Sequence, residues 1–195
     1  MKKLLGILVL CLFLIAPSQA DDIQDLQIEG MSVGDSLLDY FSELEIKNFK
    51  NYDNLPSNMR FRISEFYSKD GMKMDLYDGM QIYYKPEDKK FILHGLNGFF
   101  ICSNKTKCKK TYKNIVNDIS RIFENLKGKE TTFKHSDDKS GKSIVTMHIF
   151  EVNNGAVSIR YTDWSSEINF SDNIAVEAVT SDLRNWQRSD YGINE

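Results

Sequence analysis

Apolar residues recur every three to four positions over 32–47, where Val33, Leu37, Leu38, Phe41 and Leu44 share one side of a helical wheel. Ser32, with Asp35 three residues on, supplies a polar start, and Asp35, Asp39 and Glu43 form a solvated row. The spacing predicts a first amphipathic helix there. A second is predicted over 108–127 from Tyr112, Ile115, Val116, Ile119, Ile122, Phe123 and Leu126, with Gly128 as its C-terminal glycine cap.

The other segments have period two. Met59, Phe61 and Ile63 alternate with polar neighbours after a turn-rich NYDNLPSN (51–58). Met72, Met74, Leu76, Met80, Ile82 and Tyr84 keep one even-numbered phase, with a kink expected at Asp78-Gly79. KPEDK (85–89) reads as a hairpin loop and 91–101 as the next strand. After the second helix come a strand over 130–135, the loop SDDKSGK (136–142) and a hairpin turning at Asn154-Gly155. A two-residue turn there sets Val152 opposite Val157, Phe150 opposite Ile159 and His148 opposite Tyr161, all on the core face. A last strand over 174–180 and a short helix over 181–188 complete the pattern. Strands that follow one another directly point to an α+β fold, two amphipathic helices on antiparallel sheet. The order is that of a duplicated α-β-β-β unit, with halves 30–102 and 108–180.

The start of the chain has different chemistry. Lys2-Lys3, an apolar run over 4–16, Pro17 and the small residues of Ser18-Gln19-Ala20 form the pattern of a cleaved secretory leader over 1–20. Its apolar run is shorter than the roughly 20 residues a membrane-spanning helix requires. Leu10 before Cys11 does not suit lipidation. A single domain over 21–195 is then expected, periplasmic or secreted, with no later transmembrane segment. Losing Lys2 and Lys3 takes the formal charge from −3 to −5, which argues against nucleic acid as a partner. The remaining cysteines, Cys102 and Cys108, read as a structural disulfide in an oxidising compartment.

Candidate chemistry is sparse. His94, His135 and His148 have no metal-ligand spacing. The methionines could suggest a soft-metal site, but without interleaved cysteine or histidine they read as core packing. The 136–142 loop lacks the alternating oxygens of a calcium site, and no glycine-rich phosphate loop is present. No cofactor or metal is expected. His148 beside Tyr161 is an acid–base candidate, read more simply as a core histidine. Lys105, Lys107, Lys109, Lys110 and Lys113 crowd around the start of the second helix and form a candidate surface for an anionic partner, a protein patch or cell-envelope component.

One stretch carries a family signature. GMSVGDSLL (30–38) contains GDSL and resembles the nucleophile block of GDSL esterases and lipases, which would make Ser36 the nucleophile. Gly95-Leu96-Asn97 resembles that family's oxyanion block. The family's Asp-x-x-His has no counterpart: Phe91, Thr132 and Val145 stand three residues before the histidines. Helical phase instead puts Ser36 on the solvent side of the first helix. The chain also resembles small exported bacterial proteins. The opening Gly-Met-Ser (30–32) with the strands after it resembles the helix-plus-hairpin modules of outer-membrane assembly lipoproteins and β-lactamase-inhibitor proteins, which implies binding without catalysis. The expected function is a non-catalytic binding module acting through a sheet face or the lysine-rich corner. A Ser36 hydrolase is the alternative, and carriage of an apolar ligand between helix and sheet is a third reading.

Overall fold

The alternating stretches fold into two antiparallel meanders that meet edge to edge. The computed structural model describes residues 22–50, 59–68 and 73–190. The expected leader over 1–20, the turn at 51–58 and Met72 lie outside the described residues. In chain order the elements are β1 (Gln27–Ile28), β2 (Met31–Ser32), α1 (Glu43–Asn48), β3 (Arg62–Tyr67), β4 (Gly79–Tyr84) and β5 (Leu93–Ile101). Then come α2 (Lys105–Ile122), β6 (Lys129–Lys134), β7 (Ile144–Val152), β8 (Gly155–Asp163), β9 (Asn173–Thr180) and α3 (Ser181–Asp190). Strands β3 to β9 form one seven-stranded antiparallel sheet in the order β3-β4-β5-β9-β8-β7-β6, and β1 and β2 form a small hairpin. The fold is α+β. Among the described residues no helix is long and apolar enough to cross a membrane.

The larger core lies on one face. Phe150, Val157, Ile159, Tyr161, Val176, Leu96 and Ile82 point there from the strands, beneath Cys108, Tyr112, Ile119 and Phe123 of α2. The N-terminal segment completes this layer with Ile23, Ile28, Val33, Leu37 and Ile46. Burying each such side chain contributes about 1.5–3 kcal/mol. On the opposite face α3 packs Leu183 and Trp186 against Phe61, Tyr83 and Val179. Val145, Met147, Ile149 and Ala156 form a second apolar patch on that face. Central strands therefore bury residues of both phases.

The first predicted helix does not form. Residues 33–41 run irregularly beside the start of β5, with Gly34 N–H donating to Leu93 O, Leu93 N–H to Asp35 O and Leu37 N–H to Phe91 O. Gly34 has φ +98°, a left-handed value that interrupts any helix. Helical structure reappears as a short 3-10 turn over Leu37–Asp39 and then as α1, whose Ser42 and Glu45 form a capping box. Val33 and Leu37 are buried as predicted, but Leu38 and Leu44 are exposed. Gly30-Met31-Ser32 likewise opens no helix: Glu29 and Gly30, both left-handed, turn the β1–β2 hairpin.

The second helix is α2, started by Asn104, whose side chain accepts from Lys107 N–H. It ends at Ile122 with Phe123 as its cap, so Gly128 is not the predicted cap. The β7–β8 hairpin turns through Asn153-Asn154, one position before the predicted turn, which moves each cross-strand partner by two residues. Val152 faces Gly155, Phe150 faces Val157 and His148 faces Ile159. An even shift leaves every side chain on its predicted face. Gly155 serves the neighbouring strand: a Cβ there would meet the Val179 carbonyl oxygen at 2.2 Å. Packing against β9, and not the turn, demands that glycine.

Candidate binding face

The registers of five adjacent strands align Glu65 (β3), Gln81 (β4), Asn97 (β5), Glu177 (β9) and Ser158 (β8) in one polar row on the α3 face. Gln81 Nε2 donates to Glu65 Oε1 at 2.9 Å, and Asn97 Nδ2 donates to Gln81 Oε1 at 3.2 Å. Tyr83 OH also donates to Gln81 Oε1, at 3.1 Å. From the far side Gln187 of α3 donates to Glu177 at 3.4 Å.

This chain of bonds has a direction. An ionised carboxylate only accepts, so Gln81 must turn its amide nitrogen to Glu65 and its oxygen to Asn97. Asn97 must then offer its nitrogen to Gln81. Its own oxygen is left over, in a residue only 6% exposed, and no hydrogen bond reaches Oδ1. One row away, between Met147 and Ala175, Arg160 presents a buried Nε that also lacks a partner. Unmet groups of this kind cost about 1–3 kcal/mol each. With the Trp164 Nε1 further along, the face thus carries one acceptor and two donors whose capacity the described residues do not meet.

Aromatic rings flank the row. Phe99 lies over Gly79, where a Cβ would meet a ring carbon at 2.2 Å, and meets Tyr67 edge-on at 5.5 Å. On the α3 side stand Tyr83, Phe61 and Trp186. Past Arg160 the Trp164 ring contacts His135 at 4.2 Å and the exposed Phe170 at 4.8 Å. Burial, countered by Asp137 and reinforced by the Arg160 cation, lowers the His135 pKa. Burial likewise lowers that of His94, with Lys85 adding to it. Both rings are held toward the neutral form.

The sequence-predicted positions are scattered. Ser36 caps the 3-10 turn: its Oγ accepts from Leu38 N–H at 3.2 Å and donates to Lys90 O at 2.7 Å. Of the Gly95-Leu96-Asn97 block, Asn97 is instead bound to Gln81. His148 is not paired with Tyr161, which faces Thr146 and has its hydroxyl on Asp172 at 3.4 Å. The His148 ring rests on Phe150 at 4.9 Å. Cys102 and Cys108 are at disulfide distance, with Cα atoms 5.7 Å apart. In the lysine corner, Lys105 binds Asp163 at 2.7 Å, and Lys109 stands 4.0 Å from the same carboxylate and above the Tyr161 ring. Lys107 lines a hollow beside the disulfide that Asp78 shares, while Lys110 and Lys113 are exposed. Carboxylates thus interrupt the cationic patch.

Sequence reasoning missed the polar row because its members lie on separate strands. The available signal was a polar residue inside an apolar run, as with Asn97 in GLNGFFI and Glu177 in IAVEAVT. Comparison with family models, with curated protein sequences and with solved structures finds no match to this chain.

Proposed function

We propose that the protein is a non-catalytic binding module, exported to the periplasm or beyond, that takes a neutral, hydroxyl-rich envelope component on the α3 face of its sheet. The observation that carries this reading is Asn97. Its unpartnered oxygen calls for a donor, and the carboxylates of Glu65 and Glu177 on the same row disfavour an anion. Ligand hydroxyls both donate and accept, so they suit a face with unpartnered groups of either kind, Asn97 Oδ1 and Arg160 Nε. Phe99 and Tyr67 offer apolar ring surface next to the row. Export is supported by the leader pattern and by the cysteine pair at bonding distance.

The test is a titration of isotope-labelled protein with neutral oligosaccharides, followed by NMR. Shifts are expected at the Asn97 side-chain amide and along β4, β5 and β9, and should vanish in Asn97→Ala. Shifts at this face with peptides alone would replace the glycan by a protein partner. Labelling of Ser36 by a fluorophosphonate probe, abolished in Ser36→Ala, would overturn the non-catalytic reading.

A further inference from the structure

At the β3–β4 end of the sheet, on the face opposite the polar row, lies a hollow of about 280 Å³. Three methionines line it from three separate segments: Met31 of β2, Met80 of β4 and Met74 of the connection before β4. Met31 and Met80 are buried and form its floor, while half-buried Met74 stands at its rim.

What the polar groups on this wall already hold decides what could bind. The two carboxylate oxygens of Glu29 accept the backbone N–H groups of Asp75, Leu76 and Tyr77 at 2.8, 2.8 and 2.9 Å. Tyr40 gives its hydroxyl proton to Asp35 at 2.6 Å. The Lys73 side chain is 90% exposed and its Nζ lies 3.6 Å from Asp75. Glu29 thus spends most of its acceptor capacity on backbone amides, and the soft donors on this wall are the thioether sulfurs of Met31, Met74 and Met80. A hard cation such as calcium or magnesium seeks about six or more oxygens, and the side chains lining this hollow supply only those of Glu29, which already hold three amides, and the Tyr40 hydroxyl. Thioethers are soft ligands and select soft, singly charged d¹⁰ ions.

We propose that Met31, Met74 and Met80 form a binding site for a soft monovalent cation, Cu(I) or its chemical analogue Ag(I). Each methionine has three rotatable side-chain bonds, so the sulfurs can close on one small ion without moving the backbone. Glu29 prepares the site by clamping the amides that follow Met74, which holds that residue at the rim. The site is separate from the polar row and does not depend on the glycan reading.

The experiment is an Ag(I) titration of the full chain carrying Cys11→Ser, in chloride-free buffer, read by native mass spectrometry and by methionine methyl NMR. One Ag(I) per chain is expected, with methyl shifts at Met31, Met74 and Met80 and none at Met147 on the other face. Met74→Leu, a near-isosteric change at the rim, should weaken binding by about tenfold or more, whereas Met147→Leu should leave it unchanged. Met31→Leu should act like Met74→Leu; should it fail to fold, Met74→Leu decides alone. The proposal is overturned by absent one-to-one uptake, by uptake undiminished in Met74→Leu, or by equal shifts at Met147.

Discussion

Gly128 lies so close to His148 that a Cβ would sit 2.0 Å from the imidazole Nε2 and 2.9 Å from a ring carbon of Phe150. The imidazole, seated on Phe150, thus roofs a stretch of bare backbone just after α2. Adding one methyl forces the ring or the chain to shift, at a cost of about 1–3 kcal/mol. Gly128→Ala should lower the urea midpoint accordingly. The double variant with His148→Ala should cost less than the two changes summed, because the clash is then removed. Strict additivity would show that the ring is not what excludes the Cβ.

Acid stability should depend on Asp138. Its carboxylate accepts the amides of Ser140, Lys142 and Ser143 and the Ser143 hydroxyl at distances between 2.6 and 3.2 Å. The bonds from Ser140 and Ser143 hold its pKa well below the usual carboxylate range. The unfolded chain, with an aspartate pKa of about 3.9, therefore takes up the proton first as pH falls. The contribution is complete above the unfolded value and is lost as pH falls toward the depressed folded one. Asp138→Asn should flatten the fall in stability below about pH 4 in urea melts. An unchanged acid slope would show that other carboxylates govern it.

The Cys102–Cys108 pair closes a loop of seven residues between β5 and α2, where a disulfide contributes about 2–2.5 kcal/mol on the chain-entropy account. The double variant Cys102→Ala/Cys108→Ala should lower Tm by about 4–10 °C for a chain of this size. Burial of Cys108 at 3% exposure places the expectation at the upper end. A shift under a degree would show that the Asn104 cap and the Cys102 N–H bond to Asp172 already hold this corner.

Glu29→Gln should loosen the segment before β4. The variant leaves one neutral carbonyl where a carboxylate served three amides, at a cost of about 1–2 kcal/mol for a half-exposed group. Faster hydrogen exchange at Leu76 and Tyr77, with the β8 amides unchanged, is the expected signature. Uniformly faster exchange would mean that Glu29 supports the whole domain.

Legibility in the sequence followed the reach of the interactions. Helix α2, strand β9 and helix α3 were readable because their apolar spacing serves the face they bury. The 33–41 segment carries the same spacing but takes its hydrogen bonds from β5, so Gly34 sits left-handed and Leu38 faces solvent. The Asn154-Gly155 pair signalled a hairpin correctly, yet its glycine answers to Val179 across the sheet, and the register lies two residues from the one that turn predicts. The polar row was hidden for a topological reason. Nothing local says that β9 inserts beside β5, and only that insertion brings Glu177 next to Asn97.

That insertion also times the assembly of the molecule. β9, the last strand among the described residues, is the seam between the meanders, pairing with β5 on one side and β8 on the other. Until residue 173 onward is available, both meanders expose an open strand edge, the kind of surface on which chains aggregate. No shortened chain that stops before β9 can finish its sheet. The two halves must wait, unsealed, for β9 to arrive between them.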